Sequence, residues 1–315
     1  MLLSPEVLTI LILNAVFAIF AITAFVISVK IYLYWDANST SQAQYSLEKQ
    51  GYLGAVIIKY IFITKAVLFL FFIFTLDKIS NVITGAMCAA GVVDATSTGV
   101  YVIALKILNI YLFALWLKLH SQDIADKTAP YTKMKFGFFI ALFSLLMLEI
   151  FLETLMFNSI EIEKMVSCCG SIYSSSSTSA VSLLFQIDTA VLLLLFYGNY
   201  LLIVLLYFFK NRYIFSILNL LFLPVSLIAL ILFFGTYIYE LPSHHCPFCF
   251  LQSDYYYVGY MIYALLFLGT FSGLSVVFVK EREITYKTSL LFNSLYVILL
   301  SLYVVVYYVR NGVFL

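Results

Sequence analysis

The stretch 191-VLLLLFYGNYLLIVLLYF-208 decides the fold class. It carries no Asp, Glu, Lys or Arg, and as a helix it is long enough to cross the hydrocarbon core of a bilayer. In lipid its backbone groups must be satisfied within the segment, which a helix achieves and an open strand does not. Working outward, apolar runs of the same kind predict spans at 7–34, 53–76, 98–119, 134–157, 181–208, 213–239, 255–280 and 288–308. The reading is an all-α, polytopic transmembrane helix bundle of about eight spans, a single membrane domain over 1–315 with no sizeable soluble domain. Composition agrees. Of 315 residues, 64% are hydrophobic and 10% charged, with a mean hydropathy of +1.05, whereas soluble domains carry about 25% charged residues. A net charge of +1 without a basic cluster argues against nucleic-acid binding. The first run exceeds the apolar region of a signal peptide and lacks a small-residue cleavage site, so it reads as a span.

Lys and Arg placement sets the expected orientation. Alternate connections hold Lys49; Lys127, Lys133 and Lys135; Lys210 and Arg212; and Lys280, Arg282 and Lys287. The opposite set holds Lys78 and Lys164, with Arg310 near the C-terminus. The richer set should be cytoplasmic, which puts both termini and the second, fourth and sixth connections outside, facing the periplasm if the membrane is a bacterial inner membrane. The Ser174–Ser179 stretch reads as loop, because hydroxyl side chains compete for backbone hydrogen bonds.

Those three outer connections hold all five cysteines. Cys88 lies in the second, adjacent Cys168 and Cys169 in the fourth, and Cys246 and Cys249 in the sixth, within His244-His245-Cys246-Pro247-Phe248-Cys249. On an oxidising side such thiols form disulfides, bind metal or exchange. Two residues between cysteines permit an intramolecular disulfide and can lower a thiol pKa. A helix starting near Tyr255 would add its N-terminal dipole to that effect. Connectivity among the five cannot be read from spacing.

Cys246-Pro247-Phe248-Cys249, followed by Phe250, Leu251 and a membrane helix, resembles the active-site helix start of the vitamin K epoxide reductase family and shares the logic of the disulfide-generating DsbB proteins. The resemblance implies a membrane thiol–disulfide oxidoreductase whose CxxC passes electrons to a quinone. A second cysteine pair in an outer loop would exchange with a periplasmic thioredoxin-like protein. Carried onto this chain, Cys246 and Cys249 form the quinone-proximal pair, and Cys88, Cys168 and Cys169 shuttle electrons from the partner. The likeness covers only these few residues. Those families are four- or five-helix bundles, and their loop cysteines are separated where Cys168 and Cys169 are neighbours.

Two other chemistries stay open. Cys88, Cys168, Cys169, Cys246 and Cys249 with His244 and His245 offer a thiolate set for copper or another soft metal. Alternatively the chain is a non-enzymatic subunit of a larger membrane complex, its outer loops stapled by disulfides. Ionisable residues inside the spans are costly in lipid and mark polar interiors. Lys65, Lys106, Glu149, Glu153 and Asp188 fall in this class. At 1.5 Å per residue, Lys106 and Glu149 lie about 12 Å and Asp188 about 10 Å from the outer ends of their helices. They are read either as ion pairs fixing helix register or as a proton path, in which Lys106, Glu149 and Asp188 serve the thiol chemistry. His120, His244 and His245 all lie at helix ends or in loops, so no haem held by two span histidines is expected.

Overall fold

The computed structural model describes residues 4–36, 39, 41–126, 129–160, 187–278 and 282–315. Cys168, Cys169, Lys127, Lys164, Lys280 and the Ser174–Ser179 stretch lie outside these residues. Among the described residues the regular structure is all helical: α1 (Pro5–Tyr34), α2 (Gln42–Ser80), α3 (Ala89–Asp94), α4 (Gly99–Ala125), α5 (Thr132–Asn158), α6 (Thr189–Phe209), α7 (Arg212–Tyr239), α8 (Val258–Ser275) and α9 (Arg282–Asn311). Among the described residues, the eight helices other than α3 are long and apolar enough to cross a membrane. This is a multi-pass membrane protein.

Start signals in the sequence set the helix boundaries. Ser4 caps α1 with its hydroxyl on the Val7 amide, and Pro5 opens the first turn where its missing N–H costs nothing. Ser41 caps α2, and Asn211 caps α7 through the Tyr213 and Ile214 amides. The helix that contains the second expected span, 53–76, runs beyond it at both ends, from Gln42 to Ser80. Residues 42–52 are polar but include good helix formers such as Gln42, Ala43, Leu47, Glu48 and Lys49, so the helix continues past the apolar run that first revealed it. α8 begins at Val258, a few residues beyond Tyr255.

The chain divides into two compact units, Met1–Ile83 with Val92–Lys164, and Thr84–Gly91 with Met165–Leu315. Each reverses the polarity of a water-soluble protein. Large apolar side chains such as Ile19, Val67, Leu194 and Phe208 are exposed, while Lys65, Lys106, Glu149 and Glu153 are buried. Lipid requires that inversion.

In the first unit, α1, α2, α4 and α5 pack around aromatic side chains, with Phe62 stacked on Phe113 and edge-on to Trp116. The α4–α5 turn is locked by Asp123, which accepts from the Tyr131 amide, the Thr132 hydroxyl and the Lys135 ammonium. Lys135, counted above as a loop cation, is thus buried in a polar latch. In the second unit, Asn219 Oδ1 of α7 accepts from Ser289 Oγ at 3.1 Å and Asn293 Nδ2 at 2.8 Å on α9. The single Ser289 hydroxyl proton is shared with the Gly269 carbonyl of α8, 2.8 Å from Ser289 Oγ. A Cβ on Gly269 would lie 2.1 Å from Asn293 Oδ1, so glycine here lets two backbones approach closely enough for the polar contacts to form.

Candidate functional site

In the second unit, the polypeptide between α7 and α8 folds back on itself and carries the CPFC sequence into a buried position. Near its end α7 widens into a π-helical turn at Leu230–Phe234, and the Ile231 carbonyl there lies 2.9 Å from His245 Nδ1. A carbonyl only accepts, so this contact places the His245 proton on Nδ1. The Tyr239 hydroxyl, at the end of α7, donates to the Cys246 carbonyl. The Tyr263 hydroxyl, from α8, donates to the Pro247 carbonyl at 2.6 Å. Cys249 then opens a short 3-10 turn, Cys249–Leu251, and a second one at Ser253–Tyr255 follows before α8 begins. Phe250 is buried and stacks on Tyr239, with ring centroids 4.5 Å apart and planes 3° from parallel. Gly259 makes room for it, since a Cβ there would lie 2.7 Å from Phe250 Cβ.

This loop meets the segment that contains Cys88. Cys88 Sγ lies 3.4 Å from Cys246 Sγ, although 158 residues separate them in sequence. The sulfurs of Cys88, Cys246 and Cys249 all lie within 4.8 Å of one another. All three are buried, with Cys88 and Cys246 0% and Cys249 5% exposed. His244 stands beside them. Its ring is edge-on to Tyr239 at 4.3 Å, and its Nε2 is buried without a hydrogen-bond partner among the described residues. Burial pushes the His244 imidazole below the ordinary histidine value, opposed by Cys88 and assisted by the neighbouring His245.

Three expected cysteines are therefore brought together, while Cys168 and Cys169 lie outside the described residues. The expected help from a helix dipole is not supplied by α8, because two 3-10 turns separate Cys249 from its first residue. Tyr239 and Tyr263 were not legible as loop-holding residues. Their sequence signal is only that of aromatic filler in an aromatic-rich chain.

The first unit holds a second polar centre. Glu149 Oε1 lies 2.8 Å from Lys65 Nζ and 3.0 Å from Lys106 Nζ. Glu153 Oε2 lies 3.0 Å from Lys106 and 4.0 Å from Lys65. Two asparagines complete it. Asn14 donates to Glu153 at 2.8 Å and accepts from Lys65 at 3.1 Å, and Asn109 donates to Glu149. Four of the five ionisable residues placed in spans thus converge, two from α5 and one each from α2 and α4, at helical spacing that puts Glu149 and Glu153 on one face. Asp188 does not join them. It is the exposed cap of α6 in the second unit, where its carboxylate accepts from the Ala190 amide at 2.7 Å. Extending the apolar run 181–208 back through it treated a helix-starting acid as part of the span. Asn14 and Asn109 escaped the sequence reading because neutral amides in an apolar run raise no charge alarm.

Comparison with family models, curated proteins and solved structures finds no match to this chain.

Proposed function

We propose that this protein is an integral-membrane thiol–disulfide oxidoreductase whose working centre is Cys88, Cys246 and Cys249. The observation that carries the reading is the 3.4 Å approach of Cys88 Sγ to Cys246 Sγ, with Cys249 within 4.8 Å of both. Exchange proceeds by attack of a thiolate on a disulfide sulfur. Starting from a Cys246–Cys249 disulfide, the Cys88 thiolate attacks Cys246. The Cys88–Cys246 bond forms, the Cys246–Cys249 bond breaks, and Cys249 leaves as a thiolate that takes a proton. Three thiols suffice for this migration, and a CxxC pair alone does not.

The overall reaction passes two electrons and two protons from a dithiol protein to a lipid-soluble quinone, giving a protein disulfide and a quinol. Burial of the three sulfurs favours the membrane-dissolved acceptor at this end of the relay. Cys168 and Cys169 are assigned the exchange with a periplasmic thioredoxin-like donor, on the side that Lys and Arg placement makes external. Lys106 and Glu149 already neutralise each other with Lys65 and Glu153, and Asp188 caps a helix, so none of these three is assigned a step. The test is quinone reduction by the purified protein in lipid nanodiscs supplied with a dithiol. Quinol formation that depends on Cys246 and Cys249 supports the reading. A rate unchanged in Cys246→Ser and Cys249→Ser overturns it.

A further inference from the structure

A disulfide relay needs sulfur atoms in sequence, but it does not need three of them buried around a common point with an imidazole alongside. A zinc ion bonds thiolate sulfur at about 2.3 Å, which in a tetrahedral site sets the sulfurs about 3.8 Å apart. The Cys88–Cys246 edge of 3.4 Å and the 4.8 Å limit on the whole triangle bracket that spacing. Two ligands come from one CxxC turn and the third from a distant segment, so the centre would join parts of the chain that share no local sequence. The turn is held from behind, by Tyr239 on the Cys246 carbonyl and Tyr263 on the Pro247 carbonyl. His244 Nε2 is a buried acceptor or donor without a partner, within electrostatic reach of the Cys88 thiol.

We infer that the reduced Cys88–Cys246–Cys249 triangle binds one zinc(II) ion, with His244 swinging in by side-chain rotation as the fourth ligand. Charge selects the metal. Three thiolates and zinc(II) leave a net charge of −1, whereas copper(I) on the same thiolates leaves −2, and burying the larger charge among Tyr239, Phe250 and Tyr263 costs more. Zinc also prefers four ligands, and the trio with His244 supplies them. Each buried thiol loses its proton to the solvent as the metal binds, so binding strengthens with rising pH.

This inference does not rest on the relay reading, because it concerns the fully reduced protein without an electron acceptor. The experiment uses the full chain in detergent, reduced and freed of reductant, titrated with zinc(II) against a chromophoric chelator. Cobalt(II) then serves as a spectroscopic probe of the unmutated protein. The expected result is one equivalent of zinc, a cobalt spectrum with sulfur-to-metal charge-transfer bands and tetrahedral d–d bands, and affinity at least about tenfold weaker in Cys88→Ser, Cys246→Ser and Cys249→Ser. Wild-type affinity in the Cys88→Ser/Cys246→Ser/Cys249→Ser variant overturns the site. A cobalt spectrum without sulfur charge-transfer bands overturns it without any substitution, and so without any question of folding. Retention of copper(I) but not zinc(II) overturns the choice of metal. Quinone reduction lost with zinc binding intact refutes the relay alone, and the reverse result refutes the metal site alone.

Discussion

Replacing Glu149 by Gln should strand one particular cation. Glu149 is the close partner of both Lys65, at 2.8 Å, and Lys106, at 3.0 Å. Without its charge, Lys106 keeps Glu153 at 3.0 Å, but Lys65 is left with Glu153 at 4.0 Å and the Asn14 carbonyl at 3.1 Å. Removing one partner of a buried ion pair costs about 3–5 kcal/mol, because the other charge stays buried. Translocon-based insertion costs for Lys or Asp at a helix centre are about 2.5–3.5 kcal/mol. About 3 kcal/mol is the expectation where the two ranges overlap, a factor of roughly 150 in the unfolding equilibrium constant. The distances then predict an asymmetry between the rescues. Lys65→Met in the Glu149→Gln background should recover most of the loss, since it leaves the Lys106–Glu153 pair and the Asn14 contact to Glu153 intact. Lys106→Met in the same background should recover less, since the surviving pair is the 4.0 Å one. Reversible unfolding in mixed micelles by added SDS gives the three values, and a double-mutant cycle isolates the coupling. Additive losses in the Lys65→Met/Glu149→Gln cycle, or equal rescue by the two lysine substitutions, would refute the reasoning.

Gly259→Ala places a Cβ 2.7 Å from Phe250 Cβ and should loosen the CPFC turn, seen as faster alkylation of Cys249 by a membrane-permeant maleimide. Tyr239→Phe leaves the Cys246 carbonyl without its donor and should cost about 1–3 kcal/mol of stability, with Cys246 labelling faster in the native state. Gly269→Ala drives a methyl group to 2.1 Å from Asn293 Oδ1 and should cost about 1–3 kcal/mol by overpacking the α8–α9 contact, measured by the same SDS unfolding. His244 gives a pH dependence whose sign follows from its lowered folded-state pKa. The unfolded chain takes up the proton first as pH falls, so this stability is present above the ordinary histidine value of about 6.5 and is lost on acidification below it. Unfolding of His244→Gln should be flatter with pH over that range.

Span number and helical class were legible because lipid makes length and apolarity the dominant constraints, as 191–208 shows. Boundaries were less legible. Residues 42–52 extend a helix beyond the apolar run, and Asp188 starts one within an assumed span, because capping and helix propensity are independent of hydropathy. The convergence of Lys65, Lys106, Glu149 and Glu153 followed from their cost in lipid, but Asn14 and Asn109 carry no such cost and stayed invisible. The sharing of one face by Cys88 and Cys246 could be guessed from alternating connections. That their sulfurs lie side by side depends on the fold-back held by Tyr239, Tyr263 and Phe250, a tertiary fact without local signature.

The relay is tested most directly by trapping its intermediate. The reduced, unmutated protein is exposed briefly to a quinone and quenched by rapid alkylation before peptide mapping. The relay predicts a population with a Cys88–Cys246 disulfide and an alkylated Cys249, the leaving thiol. Recovery of Cys88 only as an alkylated free thiol, with Cys246–Cys249 the one disulfide formed among the three, would contradict the account.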